Sequence, residues 1–480
     1  MYHTGSVGDC FLLLFEKAGV ASFSMLIDCG GYKTKKDLIS KAAQDIKDSI
    51  VNNTIDLVVI THEHEDHLSG FNLARTIFDS ITFKQVWMSW AENKKDPLAI
   101  QLFKEKGKKI KALRKLIESK LASVKKSQHS DLSHPRLKRS LGIRRTNMEH
   151  ALEMLSFDDE TSLTGLAATL KISDAILYVK NKSKVKTKSK MYKRPGQVIK
   201  DLAGAEGLKF FMLGPPYDTD LHGIKNDEEH SEMYALRKKL GLSTENYLLN
   251  ILDTVDNRSL SLTSPFAFEY HMNAKAKKEY MATFYNKREN KWRQIEYDWL
   301  DSANEVSIAL TDFVNNTSLA FAIELPNGKV LLFPADAQSG NWMSWHDNDV
   351  EKALKNNGGR TAGELLEKTI FYKVGHHGSH NGTAKGSGLE RMKEKKIVAF
   401  MPLVQDKVPG AWGGSDNFPA QPLYIKIIEK TNGAVIRTDT GLVNDHNASD
   451  LRTNKYSDTE IKKMKDASKN PLYHEWIVSV

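Results

Sequence analysis

Short apolar runs alternate along the chain with amphipathic stretches, and their order predicts its elements. Asp9 to Phe15 and Ser22 to Asp28 read as buried strands, the second ending in the turn Asp28-Cys29-Gly30-Gly31. Leu38 to Val51 predicts a helix, with Leu38, Ala42, Ile46 and Ile50 spaced for one buried face. The β-branched run Ile55 to Thr61 predicts a strand, followed by a helix over Leu68 to Phe78 and a strand over Phe83 to Trp87. Strands alternating with helices place the chain in the α/β class.

The pattern changes past Ala91. Leu102, Phe103, Ile110, Leu113, Ile117 and Leu121 fall at helical spacing with lysines on the remaining faces, and a second helix is expected over Met148 to Leu155. Lys180 to Lys190 alternates lysine with mostly small or polar residues, which suits an exposed hairpin or mobile loop. Strand patterns resume at Leu208 to Leu213, before Gly214-Pro215-Pro216, and again at Ser318 to Glu324, Val330 to Phe333, Ile370 to Val374, Ile397 to Pro402 and Ala434 to Arg437. Helices are expected at Thr361 to Lys368 and Leu423 to Lys430. The implied organisation is one catalytic fold in two halves, 1–90 and 201–445. It is interrupted by a basic, largely helical insertion at 91–200 and a polar one at about 217–303, and followed by a C-terminal tail, 446–480.

Composition narrows the class. With 40% hydrophobic and 27% charged residues the chain reads as globular. No apolar run approaches the roughly 18 residues of a membrane span, and the Phe11–Phe15 run is too short for a signal peptide, so a cytoplasmic protein without a membrane partner is expected. Cys10 and Cys29 cannot make a disulfide framework or a cysteine-rich zinc finger. The net charge of +9 is unevenly spread: Lys104 to Arg145 holds fifteen basic and three acidic residues, and Lys180 to Lys200 nine basic and none acidic. An acidic body with two basic segments suits a protein that meets nucleic acid; exposed lysine-rich faces that keep the chain in solution are the alternative.

The chemistry concentrates in Thr61-His62-Glu63-His64-Glu65-Asp66-His67, between a strand and a helix, where α/β folds place their sites. Imidazoles and a carboxylate suit zinc, manganese or iron. Ligands this close in one loop fit two adjacent ions better than one: His62 and His64 on the first, Asp66 and His67 on the second.

This His-x-His-x-Asp-His pattern resembles the first signature of the metallo-β-lactamase superfamily. Val7-Gly8-Asp9 and Ile27-Asp28-Cys29-Gly30 look like the opening of that fold, and Lys373-Val374-Gly375-His376-His377-Gly378-Ser379 resembles the His-His-Gly-Ser element of its competence-type branch. That branch includes hydrolase domains of bacterial DNA-uptake channels and a phosphorylcholine esterase. Asn316-Thr317-Ser318-Leu319 and Val330 to Asp336 look like the branch's strand pair ending in a metal-bridging aspartate. The resemblance implies a four-layer αββα sandwich and two divalent ions, with zinc first and manganese as the alternative. It also implies that Asp336 bridges the ions, that one of His376 and His377 completes the second shell while the other faces substrate, and that Asp28 orients a ligand or the nucleophilic water. Asp66, Asp28 and His376 are the expected catalytic residues.

One position departs from the family. A further histidine commonly completes the first ion's shell near a Leu-x-Pro turn, and here that turn is Leu213-Gly214-Pro215-Pro216. His222, Asp218 or Asp220 are candidates to replace it. His380 and Asn381 are placed to line the pocket, Lys182, Lys184, Lys186 and Lys188 are spaced for phosphate contacts, and Trp342, Trp345 and Trp412 could stack on substrate or pack in the core. The expected activity is hydrolysis by a metal-bound hydroxide, with DNA or RNA as the leading substrate, in an enzyme that could serve as effector of a larger system. Small phosphodiesters, or a metal-binding sensor or scaffold without turnover, are the other readings.

Overall fold

The computed structural model describes residues 1–128 apart from 18, residues 145, 148, 149 and 152, 172–218 apart from 186, 232–234, 273–285, 314–442 apart from 413, and 456–479 apart from 468. Two compact units divide the chain. Met1–Leu102, Glu160–Leu236 and Asp312–Val480 form the first, and Phe103–Asp159 with Arg237–Thr311 the second.

The first unit is α/β, with two mixed sheets. Strands β1 (Phe11–Lys17), β2 (Val20–Ile27), β3 (Thr54–Ile60), β4 (Thr82–Ser89) and β5 (Tyr192–Lys193) lie in chain order in one sheet. The other sheet holds β6 (Val198–Ile199), β7 (Lys209–Met212), β8 (Phe321–Glu324), β9 (Val330–Phe333), β10 (Thr369–Lys373), β11 (Val398–Met401), β12 (Val435–Arg437) and β13 (Gly441–Leu442), also in sequence order. The β2–β5 pairs and the β9–β12 pairs are parallel. Their side chains alternate between faces as the pleat requires. Phe23, Met25 and Ile27 of β2 share one core with Phe210 and Met212 of β7, Phe321 and Ile323 of β8 and Phe333 of β9, so apolar faces of both sheets meet there. Leu26, Val58 and Ile60 instead pack with the helices α1 (Lys36–Ser49), α2 (Glu65–Leu73) and α3 (Arg75–Asp79). On the larger sheet, Tyr372, Ala399 and Val435 pack with Leu354, Leu365, Leu423 and Ile427 from helices of the second half.

Several expectations are corrected in detail. Ala42, Ile46 and Ile50 of the expected face of α1 are buried, with Ile39 and Ala43 beside them, while Leu38 is 36% exposed, so Ile39 takes the place expected of Leu38. The expected Leu68–Phe78 helix is two, broken at Ala74, and the first begins at Glu65. Asp66 and His67 therefore stand in a helical first turn, where acidic side chains oppose the helix dipole, and not in the preceding loop. The lysine-rich 180–190 stretch is not a hairpin. A helix runs Ile172–Lys182, a helical turn spans Lys188–Met191, and β5 and β6 follow within the expected insertion. The tail contributes Tyr456 and Met464 to the core between the sheets.

In the second unit the helix starting at Pro97 continues to Gln128 and buries Ile117 and Leu121. The helix Ala274–Tyr280 passes into a π-helical turn at Met281–Tyr285. The expected helix at Met148 to Leu155 and most of the 217–303 insertion lie outside the described residues. Among those described, no helix is long and apolar enough to cross a membrane.

Phe333 stacks on Phe321 at 5.4 Å and 15° in the core that both sheets share, one residue before the loop to Asp336. Phe333→Ala is expected to cost about 3–5 kcal/mol, measured by denaturant unfolding. A change below about 1 kcal/mol would mean the shared core does not support that loop.

Candidate metal centre

Three segments converge on one buried point. Asp66 and His67 come from the first turn of α2, Asp336 from the loop after β9, and His377 from the loop after β10. One donor atom from each lies within 4.8 Å of all the others, and all four residues are buried. His377 Nε2 lies 3.0 Å from Asp66 Oδ2 and 3.4 Å from Asp336 Oδ2, and His67 Nε2 lies 3.1 Å from Asp336 Oδ2.

The local backbone is shaped for this convergence. Gly30 lets the loop after β2 press on α2, because a Cβ there would stand 2.5–2.6 Å from backbone atoms of Asp66 and His67. Asp28, Ala335, His376 and His377 all have φ between 43° and 54°, the left-handed region that costs a non-glycine residue roughly 1–2 kcal/mol. Such strain gathers at functional sites. Asp28 uses it to reach inward: its Oδ1 accepts from the Thr61 amide at 2.9 Å, and its Oδ2 accepts from Thr61 Oγ1 at 2.7 Å and His67 Nδ1 at 2.8 Å.

The ring protons decide what the point can hold. His67 donates through Nδ1 to Asp28, and His377 donates through Nδ1 to the Pro402 carbonyl at 2.9 Å. Both Nε2 atoms are thereby turned toward carboxylate oxygens. A bare imidazole nitrogen and a carboxylate oxygen are both acceptors, so a 3.0 Å approach needs a cation: a second ring proton or a metal ion. Burial works against the charged ring, but Asp336, Asp66 and Asp9 outweigh it and carry His377 up to about 9. Burial is likewise outweighed at His67, which Asp336, Asp66, Asp9 and Asp28 hold well above the usual range. Asp336 is held well below its usual value because His67, His377 and Lys373 overcome its burial. Asp66 Oδ1 and Asp9 Oδ1 are buried with no hydrogen-bond partner among the described residues. Two imidazoles and two carboxylates with spare acceptor capacity fit a divalent ion such as zinc or manganese.

The other expected residues lie around this set. Of the histidine pair, His377 joins it and His376 does not. His376 Nε2 is 3.2 Å from Asn315 Nδ2 and Nδ1 is 3.3 Å from Gln338 Nε2, and burial pushes the ring down to about 4. His62 Nε2 faces His64 Nδ1 at 3.0 Å and lies 4.0 Å from Asp336 Oδ2. Burial, with the neighbouring His67 and His64, holds His62 well below the usual histidine range. His380 is exposed. Lys182 is not extended for phosphate: its ammonium donates to the Asp79 carbonyl at 3.2 Å and lies over the Phe83 and Tyr178 rings. Lys184 is exposed; Lys186 and the Lys188 side chain lie outside the described residues, as do Asp220 and His222. Asp218 stands close enough to Asp347 to help burial raise that carboxyl. Trp342 and Trp345 are core residues, fully buried with ring centroids 4.2 Å apart, and Trp412 packs on Tyr32 at 5.5 Å.

Asp9 and Lys373 were not foreseen as site residues. Lys373 is 1% exposed, and its ammonium reaches Asp9 Oδ2 at 2.5 Å, Asp336 Oδ1 at 3.2 Å and the Ala335 carbonyl at 3.0 Å. The available signal was a lysine inside the apolar strand Ile370 to Val374, since a lysine buried among apolar neighbours needs a carboxylate partner.

Asp28→Asn leaves the shape but weakens the hold on the His67 ring, so zinc affinity is expected to fall roughly 10- to 100-fold, read by chelator competition. The protonated His377 ring stabilises the ion-free protein fully below the unfolded value of 6.5, and that contribution is lost as pH rises through about 9. An ion must displace that proton, so zinc affinity is expected to climb, and the ion-free melting temperature to fall, across this window. Affinity independent of pH there would show that His377 does not bind the ion. Compared with protein-family models, curated proteins and solved structures, the chain has no match, so the reading of the site rests on its own geometry.

Proposed function

We propose that the chain is a metal-dependent hydrolase of the metallo-β-lactamase superfamily, in the four-layer αββα form, acting on phosphodiesters with DNA or RNA as the leading substrate. The observation that carries this reading is the pair of acceptor–acceptor approaches, His377 to Asp66 and His67 to Asp336, gathered from three segments. Supporting the fold assignment are two sheets sharing a core, with helices packed on further faces of each. The nucleic-acid assignment draws on the two basic segments, Lys104 to Arg145 and Lys180 to Lys200.

A divalent ion held by Asp66, His67, Asp336 and His377 would supply Lewis acidity toward a phosphoryl oxygen and hydroxide at neutral pH. The chain's own residues do the rest. Asp28 and the Pro402 carbonyl fix the tautomers of His67 and His377. Lys373 pins one oxygen of Asp336, so the carboxylate cannot rotate away. His376 is neutral at physiological pH and not fully buried, which suits an N–H donor to a phosphoryl oxygen better than a proton donor to a leaving group.

The purified chain, incubated with single- and double-stranded DNA, RNA and a chromogenic phosphodiester, is expected to cleave nucleic acid with zinc or manganese present and to stop with chelator. Cleavage of the chromogenic ester alone would point to small phosphodiesters, and no turnover at all would favour a sensor or scaffold. His376→Ala is expected to lower kcat by roughly 10²-fold without changing metal content. A loss of metal in that variant would contradict the role given to the ring.

A further inference from the structure

We infer that Arg194 and Tyr217 form a stacking subsite for an unpaired nucleobase, on the same sheet edge as the histidine motif, so that the strand this chain binds is single. The inference rests on the nucleic-acid reading of the site and specifies the form of its substrate.

Strand register places the pair. Ile60 of β3 lies opposite Met88 of β4, and Met88 opposite Tyr192 of β5, all in parallel. Carried two residues past the strand ends, that row runs from His62 through Trp90 to Arg194, along the edge where α/β sheets place their sites. Two strand spacings put the Arg194 backbone roughly 10 Å from that of His62. The turn after β7 brings Tyr217 to the same place. Trp90 Nε1 donates to the Pro215 carbonyl at 3.1 Å, and the Trp90 and Tyr217 rings meet edge to face at 4.9 Å and 83°.

What the pair presents is a platform ordered from beneath. The guanidinium carbon of Arg194 lies 3.9 Å from the Tyr217 ring centroid, a cation–π stack. Arg194 Nη2 donates to Asp96 Oδ2 at 2.7 Å, and the Tyr217 hydroxyl donates to the same oxygen at 3.3 Å. Asp96 is itself fixed: it is buried, and its Oδ1 accepts from the Leu98 and Ala99 amides at 3.0 and 3.3 Å. Yet 47% of the Arg194 side chain and 40% of Tyr217 stay exposed. A guanidinium plane held in this way is a surface on which an unpaired base stacks, and its fork of five N–H donors also suits a backbone phosphate. Bases inside a duplex already stack on their neighbours and offer no such face. The adjacent lysine has another use: Lys193 is buried, its ammonium over the Trp87 ring and bonded to the Lys190 carbonyl at 2.6 Å.

The test uses the full chain in chelator, so that binding is read without cleavage, by fluorescence anisotropy at fixed salt. The probes are an oligothymidine of about 12 nucleotides, an abasic strand and a duplex, all of one length. Oligothymidine is expected to bind about tenfold tighter than the abasic strand, and tighter than the duplex. Arg194→Lys keeps the charge and gives up the plane, so the preference over the abasic strand should fall below about twofold while abasic affinity holds. Tyr217→Ala should do the same, and Tyr217→Phe, which keeps the ring, should bind like the unaltered chain. Circular dichroism checks that each variant is folded. Equal affinity for oligothymidine and the abasic strand, tighter binding of the duplex, or an undiminished base preference in Arg194→Lys would each overturn the inference. Binding as expected, with no cleavage once zinc or manganese is added, would leave the inference standing and overturn the proposed hydrolase. No binding to any of the three probes would overturn both the inference and the nucleic-acid reading.

Discussion

Negative charge buried between the two sheets is the constraint on which the site depends. Asp9, Asp28, Asp66 and Asp336 are each at most 2% exposed, and carboxylates removed from water must be paired. The pairing crosses from one sheet to the other. Asp66 and His67 follow β3, Asp336 and His377 follow β9 and β10, and Lys373 of β10 reaches back to Asp9 ahead of β1. The site therefore exists only once both sheets have met. Charge compensation and core packing are then two aspects of one event: Phe11 stands two residues after Asp9 and Phe333 three before Asp336, and both lie in the core the sheets share. Breaking one partner would leave the other buried and unpaired, which costs more than the pair contributes.

Compensation by protons and compensation by an ion are alternatives at His67 and His377. The ion-free form holds together by charging the two rings, and an ion at this point would take over that charge. Backbone strain at Asp28, Ala335, His376 and His377 is tolerable under the same logic, since each of these residues is tied to the network it serves. The His376 amide donates to the Ala335 carbonyl at 3.1 Å, locking two of the strained loops to each other.

Much of this was legible in the sequence, and the boundary is physical. Strands such as Val330 to Phe333 were readable because their β-branched and aromatic runs are short, buried and bounded by turns. The candidate ligands Asp66, His67, Asp336 and His377 could be nominated because motif residues lie next to strand ends. Which member of the histidine pair joins the four-donor set was not legible, because it depends on two successive left-handed residues and on a carbonyl, that of Pro402, 25 residues away. On α1 only Leu38 was misplaced, because Leu38 and Ile39 fit a helical stripe equally well and only packing separates them. Lysines in the 180–190 stretch looked like a phosphate track by spacing, yet Lys182 is spent on a carbonyl and two rings, a use that composition does not encode.

Gly214 and Asn341 show how a buried carboxamide fixes a turn beside the site. The end of β7 is tied down by hydrogen bonds. Leu213 and Gly214 both donate to the Ala320 carbonyl, at 2.9 and 3.2 Å. Asn341 joins the Asn316 and Ser318 carbonyls, and the Asn316 side chain accepts from the Gln338 amide at 3.0 Å. This carboxamide network holds the turn after Asp336 against the start of β8. It is fully buried and dense in partners, the condition under which a polar network adds rigidity.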